Sequence, residues 1–194
     1  NLGASADTAT VTDPAGTTAA LTLNGGDGFD RLNGNASANT LTLTDLDRGT
    51  LDQVSFTSIE NIFLEDGDDI VVINAGGRLS GILDGGAGNN TLQVDPSLDI
   101  TINDDGTITV GGSGSAGGSG GTFSGFQSVQ VGTGSSSSGS TGTGGSGSTP
   151  ATNTITLNGN SNVALITGPN SGTVDGTGFT NISDINLAAG DDNA

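Results

Sequence analysis

Apolar residues in this chain occur in short, mostly alternating runs, and each run is closed off by Gly, Asn or Asp. The clearest are Leu21-Thr22-Leu23, Thr40-Leu41-Thr42-Leu43-Thr44, Ile70-Val71-Val72-Ile73, Ile100-Thr101-Ile102, Thr107-Ile108-Thr109-Val110 and Thr154-Ile155-Thr156-Leu157. β-branched and aliphatic residues at a period of two suit half-buried strands, and the flanking residues are turn formers. No stretch of ten or more residues combines an i, i+3, i+4 apolar pattern with few glycines, so no helix is expected. The pattern predicts an all-β chain of many short strands joined by tight turns.

Three nine-residue segments align without gaps: FTSIENIFL from Phe56 to Leu64, FSGFQSVQV from Phe123 to Val131 and FTNISDINL from Phe179 to Leu187. Each has a Phe, then a hydroxyl residue, then large apolar residues three, six and eight positions after the Phe. Small-residue turns precede them at Arg48-Gly49-Thr50-Leu51, Gly120-Gly121-Thr122 and Ser171-Gly172-Thr173-Val174. Gly-containing turns follow, twice with two acids, as Gly67-Asp68-Asp69 and Gly190-Asp191-Asp192. Internal self-similarity of this kind marks quasi-one-dimensional architectures in which each unit packs on its neighbours. The apolar positions predict core anchors at Phe56, Ile59, Ile62, Phe123, Phe126, Val129, Phe179, Ile182 and Ile185.

Composition removes most chemistry. Cys, His, Met, Trp and Tyr are absent, and the three cations are Arg31, Arg48 and Arg78. There is no thiol nucleophile, no imidazole base, no usual zinc or haem site and no disulfide. Without Lys there is no Walker-type phosphate loop and no Schiff base. With 21 acidic residues the formal net charge is -18, which disfavours nucleic acid and anionic membranes as partners. Hydration, mutual repulsion of copies and capture of divalent cations remain. No apolar run is long enough to span a membrane, and no basic segment followed by an apolar stretch opens the chain. Only 31% of residues are hydrophobic and 36 are Gly, a composition that often signals disorder, yet the patterned runs argue for folding.

Gly25-Gly26-Asp27-Gly28-Phe29-Asp30-Arg31-Leu32-Asn33 matches the glycine-rich nonapeptide G-G-x-G-x-D-x-U-x, and Gly85-Gly86-Ala87-Gly88-Asn89-Asn90-Thr91-Leu92-Gln93 matches it with Asn in place of the Asp. In these residues the chain resembles the calcium-binding RTX, or haemolysin-type, β-rolls. The longer run F-T-x-I-x-x-I-x-L, G-D-D, a short strand, then G-x-L-x-G-x-L-D-G-G-x-G is continuous from Phe56 to Gly88. It is similar to the tandem modules of filamentous-haemagglutinin-like adhesins, large bacterial secreted and surface β-solenoids. The likeness covers about Leu21 to Val131 and, less fully, Ala151 to Ala194. It implies Ca²⁺ as an ion that Asp27 and Asp30 would ligate, with the acid pairs Asp68/Asp69 and Asp191/Asp192 as further candidates. RTX ions lie between nonapeptides stacked in tandem, whereas this chain has one complete and one degraded copy far apart, so a calcium roll does not follow.

Two Gly/Ser-rich tracts interrupt the pattern. The domain layout expected is a solenoid over 1–131 with a Gly/Ser loop at 111–121, a linker-like segment at 132–150, and a further repeat at 151–194 that completes the solenoid or stacks on a neighbouring copy. The third copy of the repeat stops at Gly190-Asp191-Asp192-Asn193-Ala194, and its missing half looks like the start of the chain, from Asn1-Leu2 through Leu21 to Gly28. A start at Asn1 with no Met anywhere is expected of a processed product or a piece of something longer. Tandem covalent copies, or separate subunits stacked head to tail, would both join the ends in this way.

Some right-handed β-helix glycosidases work with Asp side chains alone, and Asp66/Asp68/Asp69 or Asp104/Asp105 would be the carboxylates to supply an acid and a base. Adjacent acids on a strand face opposite ways, and no Trp or Tyr offers a sugar-stacking platform; no enzyme is expected. Thr40/Thr42/Thr44, Thr107/Thr109 and Thr154/Thr156 resemble the T-x-T ladders of ice-binding solenoids, which repeat the pair at nearly every coil, as this chain does not. Asn35-Ala36-Ser37, Asn89-Asn90-Thr91 and Asn181-Ile182-Ser183 match the glycosylation sequon, as chance alone allows in so Asn- and Ser-rich a chain. The expectation is an elongated β-solenoid of about eight to ten coils with Gly/Ser-rich insertions. Its role would be the non-enzymatic shaft of an extracellular, cell-surface fibre, sheath or adhesin, partnered by copies of itself head to tail and by laterally associated fibres, and needing no cofactor. The alternatives are a calcium-responsive secreted module and an ice-binding solenoid.

Overall fold

A computed structural model describes residues 1–12, 21–103, 105–112, 121–131, 154–158, 164–174, 176–180, 182 and 184–187. The segment 132–150, Asp104 and the pair Asp191/Asp192 lie outside the described residues. Within them the chain is all-β. The strands are β1 (Thr8–Thr10), β2 (Leu21–Asn24), β3 (Arg31–Asn33), β4 (Thr40–Asp45), β5 (Arg48–Leu51), β6 (Val54–Thr57), β7 (Asn61–Phe63), β8 (Ile70–Ile73), β9 (Ile82–Asp84) and β10 (Thr91–Val94). They continue with β11 (Leu98–Asn103), β12 (Ile108–Gly112), β13 (Thr122–Ser124), β14 (Ser128–Val131), β15 (Thr154–Asn158), β16 (Ala164–Gly168), β17 (Ser171–Val174), β18 (Thr177–Thr180) and β19 (Asp184–Leu187).

Two open sheets result. One has the order β1-β3-β7-β9-β13-β12-β11-β15-β19, the other β16-β17-β18-β14-β10-β8-β4-β5-β6-β2. The chain alternates between them, so most neighbours pair in parallel, as β3 with β7 or β8 with β10. Antiparallel pairing is confined to three meanders, β4-β5-β6, β11-β12-β13 and β16-β17-β18. The first Gly/Ser tract starts within a strand, because Gly111 and Gly112 extend β12 to pair with Asp99 and Leu98 of β11.

The three aligned segments share one structural role. Each Phe sits in the last strand of a meander, at Phe56 in β6, Phe123 in β13 and Phe179 in β18, and the chain then turns into the opposite sheet as β7, β14 or β19. The first and third meanders are close copies. Leu43 pairs with Gly49 and Gly49 with Phe56, while Ile166 pairs with Gly172 and Gly172 with Phe179. Both carry a bulge just after the residue facing the glycine, and both turn on a residue of positive φ, Asp47 (51°) or Asn170 (57°). A Cβ at Gly49 would lie 3.1 Å from Cζ of Phe56 and 2.0 Å from the Thr42 carbonyl oxygen, and at Gly172 the corresponding distances are 2.7 Å to Phe179 and 2.2 Å to Leu165. Only glycine lets the ring lie across the middle strand.

Inward rows from both sheets merge into one apolar cluster. Of the predicted anchors, Phe56, Ile59, Ile62, Phe123, Phe126, Val129, Phe179 and Ile182 are buried and Ile185 packs against them partly buried. Each fully buried aliphatic or aromatic side chain contributes roughly 1.5–3 kcal/mol relative to exposure, and these rows drive the sheets together.

Candidate functional site

Where the chain leaves one sheet for the other, the last residue before the next strand is often a buried amide or acid. Asp30, Asn39, Asp69 and Asn90 all occupy this place, and all are fully buried. They form two ladders of hydrogen bonds between successive corners. Along the corners where the chain enters the nine-stranded sheet, the Asp7 backbone N–H donates to Oδ1 of Asp30 at 2.8 Å, and the Asp30 N–H donates to Oε2 of Glu60 at 2.7 Å. Along the corners where the chain enters the ten-stranded sheet, the Asn39 N–H donates to Oδ1 of Asp69 (2.7 Å), the Asp69 N–H to Oδ1 of Asn90 (2.9 Å), and the Asn90 N–H to Oε1 of Gln127 (2.7 Å). Each rung satisfies a backbone donor that the turn would otherwise leave buried and unpaired.

The second branch of each side chain separates amides from acids. Nδ2 of Asn90 donates to the carbonyls of Gly85, Gly86 and Gly125, and Nδ2 of Asn39 to those of Asn35, Ser37 and Leu64 and to Oδ1 of Asp69. In Asp7, Asp30 and Asp69 the equivalent atom is Oδ2, which is buried with no hydrogen-bond partner among the described residues. The positions correspond closely: Nδ2 of Asn90 packs under Gly85, and Oδ2 of Asp30 packs under Gly25. Burial is the main cause of a raised pKa at Asp69, opposed by the two Asn39 bonds and reinforced by Asp52 and Asp68. Burial likewise raises Glu60. Gly28, Gly67 and Gly88 stand two residues before the corner acid or amide with φ of 138°, 134° and 118°, so glycine there lets the turn close.

The expected ion ligands are therefore split. Asp27 and Asp68 are exposed, whereas Asp30 and Asp69 are buried, one at a corner leading into the nine-stranded sheet and the other at a corner leading into the ten-stranded sheet. Asp68 accepts from the Asn89 N–H at 2.8 Å. Among the described residues no three acidic side chains converge as a group that would hold a metal ion. Asp66 is exposed, and exposed Asp105 is held below the usual carboxylate range by bonds from the Thr107 hydroxyl and N–H. Of the expected threonine pairs, Thr109 stands in register with Thr101 and Thr122, while Thr42 is followed along its row by Val72, Gln93 and Gln130. A surface cleft of about 170 Å³, small beside the ~300–1,000 Å³ of ligand pockets, lies among Arg31, Phe63, Glu65 and Asp84. In it the Arg31 guanidinium stacks 3.7 Å from the Phe63 ring centroid and lies 3.7 Å from Glu65.

Sequence inspection singled out Asp30 and Asp69 but not Asp7, Asn39 or Gln127. The available signal is a small residue, any residue, then Asp or Asn directly before a strand, as in Ser5-Ala6-Asp7, Ser37-Ala38-Asn39 and Gly88-Asn89-Asn90. Comparison of the chain with protein-family models, with curated proteins and with solved structures gives no match.

Proposed function

We propose that the two sheets are opposite faces of an elongated β-solenoid of about eight to ten coils, and that the chain is a non-enzymatic structural repeat of an extracellular, cell-surface fibre, sheath or adhesin shaft whose ends stack on further copies. One observation carries this. The outermost strands of the ten-stranded sheet, β2 and β16, run in the same direction, as do β1 and β19 in the other sheet, and among the described residues no further strand covers the core rows at these edges. Leu21 on β2 is 60% exposed and Ile166 on β16 is 59% exposed, although both lie in rows that are buried further in. Open edges of uniform polarity favour head-to-tail growth, which does not close on itself. The acidic surface keeps such shafts hydrated and apart, and neither nucleic acid nor membrane insertion has a part in it. Electron microscopy of native material tests the proposal: continuous fibres support it, and monodisperse single particles overturn it.

A second reading is favoured by the unpartnered Oδ2 atoms of Asp30 and Asp69. A calcium-responsive module would use them, with neighbouring corner carbonyls, to hold Ca²⁺, and its β structure would depend on the ion.

A further inference from the structure

Charge is spread unevenly over the outward faces of the two sheets. On the ten-stranded sheet one outward row crosses every strand, from Thr22 on β2 through Thr42, Val72, Gln93 and Gln130 to Gly168 on β16, and none of its members is charged. A second outward row, from Thr40 through Ile70 and Thr91 to Leu165, is likewise uncharged. Along this stripe the amides of Gln93 and Gln130 approach each other, Nε2 to Oε1 at 3.5 Å, and Ile70 and Leu165 stand 41% and 58% exposed. Charged residues line its margins instead, Asp52 and Asp68 along one and Asp45, Arg48 and Asp95 along the other. The outward rows of the nine-stranded sheet, by contrast, include Arg31, Asp84 and Asp99.

We infer that this stripe is the surface through which two copies of the chain pair side by side, each presenting the same face to the other. A charge-depleted centre within a charged rim is the layout of contacts between proteins, and one sheet face fits against another at a spacing of about 10 Å. A chain of net charge -18 repels its copies wherever acids meet acids, and the stripe lets two copies meet without burying one. Ten strands about 4.8 Å apart, with a width of three residues at about 3.3 Å each, give roughly 500 Å² per copy. A pair then covers about 1,000 Å², the lower bound for a specific contact, so one pair is weak and copies joined end to end pair more tightly. Acids at the two margins come near their counterparts, and pairing strengthens as salt screens them. The stripe carries no aromatic side chain on which a sugar would stack. The inference goes beyond the shaft reading by naming a lateral contact, and it needs no end-to-end growth.

Val72 lies at the middle of the stripe, and Val72→Asp sets a carboxylate there. Ile82→Asp, on the outward face of the other sheet at a position 47% exposed, adds the same charge elsewhere. In sedimentation equilibrium of the full chain at high salt, the self-association constant should fall at least about tenfold in Val72→Asp, as like charges set face to face require, and stay near that of the parent chain in Ile82→Asp. Equal losses in the two variants, or a parent chain monomeric at every concentration, overturn the inference. Val72→Cys gives a second, milder measurement in a chain with no other cysteine: its thiol should be alkylated several-fold more slowly in concentrated than in dilute protein, with Ile82→Cys unaffected. Slow alkylation at every concentration would show that the chain's own residues cover the stripe. Retention of a monomeric chain on an insoluble neutral polysaccharide, lost in Val72→Asp, would show that a sugar surface does; either result overturns the pairing. Pairing without fibres in the native material would leave this surface standing and remove the shaft. Fibres in which the Val72→Cys thiol reacts as fast as in the dilute chain would do the reverse.

Discussion

Asn39 and Asp69, thirty residues apart in sequence, are joined twice at one corner: the Asn39 backbone N–H donates to Oδ1 of Asp69 at 2.7 Å and the Asn39 carboxamide to the same oxygen at 3.0 Å. Oδ2 of Asp69 is left buried and unpaired, where the equivalent Nδ2 of Asn90 has three carbonyl acceptors. Asp69→Asn should therefore stabilise the fold at neutral pH by roughly 1–3 kcal/mol, the usual cost of an unsatisfied buried polar group. Urea midpoints of the two proteins in EDTA-containing buffer measure it, and a lower midpoint for the variant would contradict the assignment.

The same corner sets a pH dependence. Asp69 has its carboxyl raised by burial, so the folded state holds its proton more tightly than the unfolded chain does. Its contribution to stability is full below the unfolded carboxylate range near 3.9 and is lost as pH rises through the higher folded value. Asp69→Asn should remove this decline selectively, which urea titrations between pH 3 and 7 would show as a flatter stability profile.

Removing an amide should cost more than removing an acid. Asn90→Ala strips Nδ2 from the carbonyls of Gly85, Gly86 and Gly125 and Oδ1 from the Asp69 N–H. A loss of roughly 2–4 kcal/mol is expected from several newly unpaired buried groups. A change below 1 kcal/mol in chemical denaturation would mean that the ladder is dispensable.

Gly49→Val brings a side chain against the Phe56 ring and the Thr42 carbonyl. The middle strand must shift or the ring must leave the core, so a loss of at least about 2 kcal/mol is expected. Gly111→Val, at a position where no atom of the described residues lies within 4 Å of a built Cβ, is the control and should change thermal stability little.

A shaft held together by core packing and ladders keeps its β circular dichroism in excess EDTA, whereas a calcium-responsive module loses it. The split of Asp27 from Asp30 and of Asp68 from Asp69 leads us to expect an unchanged spectrum. Association of copies should instead follow ionic strength, because a net charge of -18 is screened over about 8 Å at 0.15 M salt. Sedimentation at low and moderate salt should show growth only in the latter.

Much of this architecture was legible in the residues alone. Alternating Thr and aliphatic runs, closed by Gly, Asn and Asp, determined an all-β chain of short strands, and the three Phe-headed segments marked its buried anchors, since side-chain period and burial are local properties of a strand. Strand partners were not legible. The same Thr-Leu-Thr-Leu run in β4 pairs antiparallel with β5 on one side and parallel with β8 on the other, and nothing in four or five residues chooses between them. Nor could sequence tell that Asp27 and Asp30 part company, one to solvent and one into a ladder, because the donor that fixes Asp30 belongs to Asp7 in another turn of the chain. What tertiary structure decided was which groups meet across corners far apart in sequence, and a buried polar atom is satisfied or orphaned only by neighbours that folding brings to it.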